Sequence, residues 1–323
     1  MGVLLGSIVV FLLLTLGYEG LARQQGFEPA VRDSMAHWCH WRDQVEPDSL
    51  VFIGDSRITA GIDLEVFKAK FPDRKVIQLG IDATKPVALL QHLLQDSSFH
   101  GQIVCSFSPN SYSIANLESQ QPWIDYYENR WTLSEKFSYG GKRLLDQTFV
   151  IRRAEWGITS IISSLARNRS LPKPPHRKIL EDRSRLLDFS KVDTKPISQK
   201  IAKQIKTQNR LDQDHFSTQF EQSETNLESF LSRGGELVYV VMPVSGDVKD
   251  SIAETYPEAI FWNVAKEITK ARTIHYLNLN NVDAMTVPDG SHLDDSSRQQ
   301  FSRSLLKLLE PKRHVPGINK SMP

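Results

Sequence analysis

The sequence predicts a three-layer α/β/α, flavodoxin-like sandwich built around a five-stranded, mainly parallel sheet. Residues 49–108 alternate short apolar runs with helical patterns, in the order SLVFIGDS, LEVFKAKF, KVIQLGI, PVALLQHLLQ and GQIVCSFS. The same rhythm resumes at residues 234–280 and closes on a predicted helix at 295–309. Short apolar strands separated by helices are typical of βαβ units, whose parallel sheets are covered on both faces.

The amino terminus, residues 1–24, carries an apolar run that meets no charged side chain until Glu19. A membrane-crossing helix needs about 20 apolar residues and a signal-peptide core roughly 7 to 15, so the length alone fits both. Gly20 and Ala22 are small residues suited to cleavage, whereas the lack of basic residues before the run disfavours it. We expect a signal anchor, with a removed signal peptide as the alternative. The rest of the chain then lies on the periplasmic or extracellular face.

Residues 25–48 form a predicted connecting segment, and residues 49–323 form one domain interrupted by an insertion at about 120–230. The insertion lacks strand patterns, so we expect it to be mainly helical. Residues 167–210 hold 13 Lys or Arg against four acidic residues, a charge of +9, while the remainder of the chain carries −8. This basic stretch is interpreted either as a solvated cap or linker, or as a lid that contacts anionic lipid or a polyanionic substrate.

The composition excludes several functional classes. The 323-residue chain has a formal charge of +1 and 40% hydrophobic residues, which predicts a folded protein that does not bind nucleic acid. Its two cysteines, Cys39 and Cys105, leave one disulfide bridge possible but supply no CxxC pair. We predict neither a metal site nor a cofactor.

The ends of the chain carry the residues that suggest chemistry. Ser56 follows the first predicted strand, where the carboxyl end of a parallel sheet forms its ligand crevice. Asp289 and His292 lie three residues apart in PDGSHL, before the last helix. A carboxylate at that spacing can orient the imidazole, and an oriented imidazole can act as the base that activates a serine hydroxyl. An Asp-Ser pair after a strand is also an ordinary helix start.

Gly54-Asp55-Ser56 together with Asp289-x-x-His292 resembles the SGNH or GDSL hydrolase superfamily. The resemblance implies a nucleophilic Ser56, a His292 base and an orienting Asp289. It also implies an oxyanion hole formed by Ser56, by Gly80 in QLGIDATKP and by Asn110 in SFSPNSYS.

Two positions depart from the family pattern. Arg57 replaces the Leu of the GDSL motif, and Ser108 and Ser111 stand where a glycine and an aspartate usually flank Asn110. Arg57 is interpreted either as a cation that binds a substrate carboxylate or phosphate, or as a structural partner of Asp55 or Asp63.

The layout also resembles exported, membrane-anchored SGNH proteins associated with membrane-bound O-acyltransferases. It shares with them the apolar amino terminus, the turn Gly61-Ile62-Asp63 and the late D-x-x-H-L. The resemblance implies an esterase or O-acyltransferase that acts on an acylated cell-envelope glycan, or on a related ester, through an acyl-serine intermediate. Its expected partners are that ester, the membrane and a membrane-bound O-acyltransferase. The alternative is a non-catalytic accessory protein that binds a glycan or an acyltransferase.

Overall fold

The computed structural model describes residues 2–113, 117–207 and 212–310. Its strands are β1 Leu50–Ile53, β2 Val76–Gln78, β3 Gln102–Phe107, β4 Arg177–Ile179, β5 Arg185–Leu187, β6 Glu236–Val241 and β7 Arg272–His275. Five of them form one parallel sheet in the order β2-β1-β3-β6-β7. This is the flavodoxin-like strand order, so the predicted fold class is confirmed.

Helices cover both faces of the sheet. They are α1 Gly2–Gln24, α2 Met35–Arg42, α3 Ser56–Gly61, α4 Leu64–Lys70, α5 Val87–Gln95, α6 Gln121–Arg130, α7 Leu133–Thr148, α8 Ile158–Asn168, α9 Thr194–Thr207, α10 Gln213–Ser223, α11 Leu227–Ser232, α12 Gly246–Thr255, α13 Trp262–Ile268 and α14 Asp295–Leu309. Val51 and Ile53 pack into a core that includes α2 and α5, whereas Leu50 and Phe52 pack into a second core with α4 and α14. Alternate residues of one strand thus face two helical layers.

Helix α2 lies on the sheet. Trp38 is fully buried, and its indole Nε1 donates to the Leu79 carbonyl at 3.0 Å. Cys39 on the same helix and Cys105 on β3 are both buried, free thiols, so the possible disulfide bridge is not formed.

Helix α1 is long and apolar enough to cross a membrane, with a mean hydropathy of 2.0 over its most apolar part. Its last turns pack onto the insertion. The Tyr18 hydroxyl donates to the Trp156 carbonyl at 2.6 Å. The Glu19 carboxylate accepts from the amides of Val150 and Ile151, each at 2.9 Å. The end of α1 is therefore part of the folded structure.

The insertion is largely helical, as predicted, but it also contains an antiparallel strand pair, β4–β5, which the sequence pattern did not predict. These strands are only three residues long, and they carry Arg177, Lys178 and Arg185 in place of an apolar alternation. Neither the length nor the pattern of such strands is recognisable in a sequence.

Two arginines of this hairpin region are buried rather than solvated. Arg183 is fully buried, and its Nε donates to Asp33 Oδ1 at 3.0 Å. Arg185 pairs with the same carboxylate and also with Asp82, at 3.0 Å from Nε to Oδ1. Although burial alone would raise the pKa of Asp33, the charges of Arg183 and Arg185 hold it below its usual value. Arg183 and Arg185 therefore belong neither to a solvated face nor to a lid, because they form a buried ion-pair cluster.

Arg183→Ala should lower the free energy of unfolding by about 3 kcal/mol or more, because it leaves a buried carboxylate with one of its two cations. The matched control is Arg177→Ala, which removes a half-exposed partner of Asp82 at 3.3 Å and should cost about 1 kcal/mol or less. Urea denaturation of the detergent-solubilised chain measures both. Equal decreases in the free energy of unfolding for the two variants would contradict a structural role for the buried Arg183–Asp33 pair.

Candidate active site

Ser56 is positioned by the turn that joins β1 to α3. Gly54 adopts φ +147, and a Cβ there would lie 2.0 Å from Ser106 Oγ on β3, so only glycine fits. Asp55 caps α3, because its carboxylate accepts from the Arg57 amide at 2.9 Å. Ser56 is therefore the first helical residue at the carboxyl edge of the sheet, where its own amide has no partner within the helix.

The turn before α14 is equally constrained. Gly290 adopts φ +81, and a Cβ there would lie 2.6 Å from Cγ2 of Val248. Asp289 Oδ1 accepts from the amides of Ser291 at 2.9 Å and of His292 at 2.8 Å. These bonds fix the carboxylate beside the imidazole that follows it.

Ser56, His292 and Asp289 form a continuous chain of hydrogen bonds. His292 Nε2 lies 2.9 Å from Ser56 Oγ, and His292 Nδ1 lies 2.8 Å from Asp289 Oδ2. Because an ionised carboxylate only accepts, Nδ1 carries the proton and Nε2 is left to accept from the serine hydroxyl. The structure thus brings the three residues that the sequence singled out within hydrogen-bonding distance of one another.

Asp289 is buried, which alone would raise its pKa. The hydrogen bond and charge of His292, together with the amides of Ser291 and His292, outweigh burial and hold that pKa below its usual value. The carboxylate is therefore ionised at neutral pH, the state that orients and stabilises an imidazolium.

Asn110 lies in the turn that follows β3 and lines the same crevice as Ser56. The Tyr256 hydroxyl donates to Asn110 Oδ1 at 3.4 Å, so the amide nitrogen Nδ2 is the group left to donate. An amide donor beside an activated serine suits the stabilisation of a developing negative charge on oxygen.

The amide of Gly80, expected to be a second donor of the oxyanion hole, donates instead to Gln78 Oε1 at 2.8 Å. A Cβ on Gly80 would lie 2.8 Å from Cγ2 of Ile58 and 3.0 Å from Cγ2 of Thr59. Glycine at this position thus allows the loop after β2 to pack closely against α3, the helix that begins with Ser56.

Ala83, three residues farther along the same loop, was not singled out by the sequence. It lines the crevice with Ser56 and adopts φ +56, the left-handed region that side chains other than glycine rarely enter. Within the described residues, nothing accepts a hydrogen bond from its amide. The Ala83 amide therefore has no acceptor among the described residues, whereas the Gly80 amide has one, and an alanine in the sequence gave no indication of this.

Arg57 also lines the crevice, but it pairs with neither of the carboxylates that the sequence suggested. Its Nε donates to Ser291 Oγ at 3.2 Å, which links α3 to the turn that holds His292. Asp63 pairs instead with Arg298 at 3.6 Å.

The crevice beside Ser56 has a volume of about 870 Å³. Its cationic lining residues are Arg57, Lys85 and Lys249, and burial lowers the pKa of Lys85 to about 8. Apolar side chains from α9, α12 and α13 line it as well, namely Ile201, Ile205, Ile252 and Trp262. Because α9 belongs to the insertion, the basic stretch supplies one wall of the crevice.

No protein-family model matches the sequence, and no curated protein matches it. Among solved structures, a crystal structure of TesA is similar at 11% identity, over 82% of this chain and 99% of that chain, with a TM-score of 0.36. A Streptococcus pneumonia protein provisionally described as a platelet activating factor is similar at 15% identity, over 94% of this chain and 98% of that chain, with a TM-score of 0.35.

Gly290→Ala should destabilise the protein more than Gly246→Ala. Both positions have positive φ, where an alanine costs about 1–2 kcal/mol, but a Cβ at 246 meets no atom within 4 Å. The contact with Val248 should add roughly 1–3 kcal/mol at position 290. Thermal unfolding of both variants, and of Gly290→Ala combined with Val248→Ala as the rescue, measures the difference. Identical decreases in melting temperature for Gly290→Ala and Gly246→Ala would show that the turn before α14 is not packed as described.

Proposed function

We propose that the chain is a serine-dependent acyl-ester hydrolase or O-acyltransferase of the SGNH type, which works through an acyl-Ser56 intermediate. The observation that carries the proposal is the chain of hydrogen bonds from Ser56 Oγ through His292 to Asp289. A serine hydroxyl is a poor nucleophile at neutral pH, and this arrangement supplies both the base and the group that orients it.

In the first half-reaction, Ser56 Oγ attacks the carbonyl carbon of the ester while His292 Nε2 takes the hydroxyl proton. Collapse of the tetrahedral intermediate breaks the bond to the leaving oxygen, which receives that proton from His292. In the second half-reaction, water or a glycan hydroxyl attacks the acyl group and gives its proton to His292. Release of the acyl product then returns the proton to Ser56 Oγ.

The negative charge of each tetrahedral intermediate needs donors that are already in place. The candidates are the amides of Ser56 and Ala83 and the side chain of Asn110, which line the same crevice. One such donor typically lowers the barrier by about 3 kcal/mol. Tyr256 contributes by holding Oδ1 of Asn110, which directs Nδ2 to this role.

We further propose that the substrate is an acylated cell-envelope glycan or a related ester. The apolar part of the crevice suits an acyl group, and the cations Arg57, Lys85 and Lys249 suit an anionic or polar carrier. A membrane-bound O-acyltransferase is the proposed source or receiver of the acyl group. These features are compatible with both water and a sugar hydroxyl as acceptor.

Helix α1 is proposed to be a retained signal anchor that holds the domain on the extracytoplasmic face. Cleavage near Ala22 would remove Tyr18 and Glu19, whose hydrogen bonds tie α1 to Trp156, Val150 and Ile151. It would also leave two amides of the insertion without their acceptor, one of them buried, which typically costs about 1–3 kcal/mol for each buried group.

A fluorophosphonate probe should label the protein covalently, and Ser56→Ala should abolish the labelling because the attacking oxygen is gone. The matched control is Ser97→Ala, the same change at an exposed serine that makes no hydrogen bond among the described residues. Mass spectrometry of the labelled peptide checks the site. Full labelling of Ser56→Ala would refute the assignment of the nucleophile.

Acetate release and acetyl transfer should both depend on Ser56 when p-nitrophenyl acetate is supplied with and without a polyol acceptor. A transferase should form the acetylated polyol at the expense of acetate, because the acceptor competes with water for the acyl group. A hydrolase should release acetate at a rate that the polyol does not change. If neither product exceeds that of Ser56→Ala, the alternative of a non-catalytic binding protein is favoured.

A further inference from the structure

Helix α8 presents an apolar face that no described residue covers. Ile158 is 71% exposed and Ile162 is 61% exposed, and Leu165 continues the same face at 46%. The spacing of four and three residues places these side chains on one side of the helix. Ile161 lies at the edge of this face and packs with the buried Trp156.

Helix α7 carries a second set of exposed apolar side chains. Phe137 is 82% exposed, and Leu133 and Leu144 are exposed to a similar degree. Their spacing of four and seven residues again defines a single face. Isolated apolar residues on a protein surface are common, but two helical faces of this kind are not.

Both helices meet the same point, the carboxyl-terminal end of α1. Arg23 Nη2 donates to the carbonyl of Thr148, the last residue of α7, at 3.0 Å. The Tyr18 hydroxyl donates to Trp156, two residues before α8 begins. The end of α7 and the start of α8 therefore lie beside the last turns of α1, where α1 would leave a membrane.

We infer that these faces of α7 and α8 lie in the interface of a lipid bilayer that α1 spans. The membrane face so defined consists of Leu133, Phe137, Leu144, Ile158, Ile162 and Leu165. The inference rests on the proposed role of α1 as an anchor and extends it, since it fixes the domain against the bilayer along two further helices.

A bilayer suits this face better than a protein partner does. Residues 2–17 of α1 are apolar except for Ser7 and Thr15, and all of them except Thr15 are exposed, so the helix next to the membrane face has a surface that lipid would cover. Arg169, which directly follows α8, is an exposed cation that forms no ion pair within the described residues. A cation at this position favours anionic headgroups.

The test uses the full chain with an environment-sensitive fluorophore on an introduced cysteine, because the natural Cys39 and Cys105 are buried. The labelled variants are Phe137→Cys and Ile162→Cys on the membrane face and Leu12→Cys within α1. The matched control is Ser296→Cys, an exposed position on α14 in the opposite helical layer. Each is reconstituted in phosphatidylglycerol–phosphatidylcholine vesicles that contain a spin-labelled quencher lipid. Unchanged thermal unfolding shows that each variant is folded.

Quenching at positions 137 and 162 should exceed that at position 296 by at least about twofold, because the probes lie at the depth of the acyl-chain boundary. Quenching at position 12 alone would overturn the membrane face while leaving the anchor intact, and would favour a protein partner for α7 and α8. Quenching at none of the positions would overturn both the anchor and the face. Fluorophosphonate labelling of the same vesicles reports on the proposed catalytic serine separately from either result.

Discussion

A cluster of buried charges ties the basic insertion to the helix that carries the candidate nucleophile. Arg183 and Arg185 from the insertion share the carboxylate of Asp33, and Arg185 also reaches Asp82 and the hydroxyl of Thr59 on α3. Removing such charges from water is costly, so each of them needs its partner to remain in place. The basic stretch has a net charge of +9 and the rest of the chain a net charge of −8. At this contact, two of the basic side chains are neutralised by carboxylates from the rest of the chain.

The parallel sheet supplies the other half of the site's geometry. Ser56 follows β1, Asn110 follows β3 and His292 precedes α14, so residues far apart in sequence meet at one edge of the sheet. Two glycines make the approach close enough for hydrogen bonds. Gly54 and Gly290 both occupy positions with positive φ where a Cβ would meet a neighbouring side chain.

The sequence predicted the sheet and the meeting of Ser56 with His292, because both follow from apolar periodicity and from the order of the motifs. It could not predict which amide of the loop after β2 is free, since that depends on the side chain of Gln78 and on the left-handed backbone of Ala83. The β4–β5 hairpin was missed for a related reason. Its strands are short and basic, and the burial of Arg183 comes from an acidic partner 150 residues earlier in the chain.

The central claim is that acyl transfer passes through Ser56, and the most direct measurement is the mass of the protein quenched with acid soon after mixing with p-nitrophenyl acetate. One acetyl group should accumulate on the protein, peptide mapping should locate it at Ser56, and it should disappear as acetate or an acetylated acceptor forms. Release of p-nitrophenol with no acetyl group on Ser56, or with the acetyl group on another residue, would contradict the account.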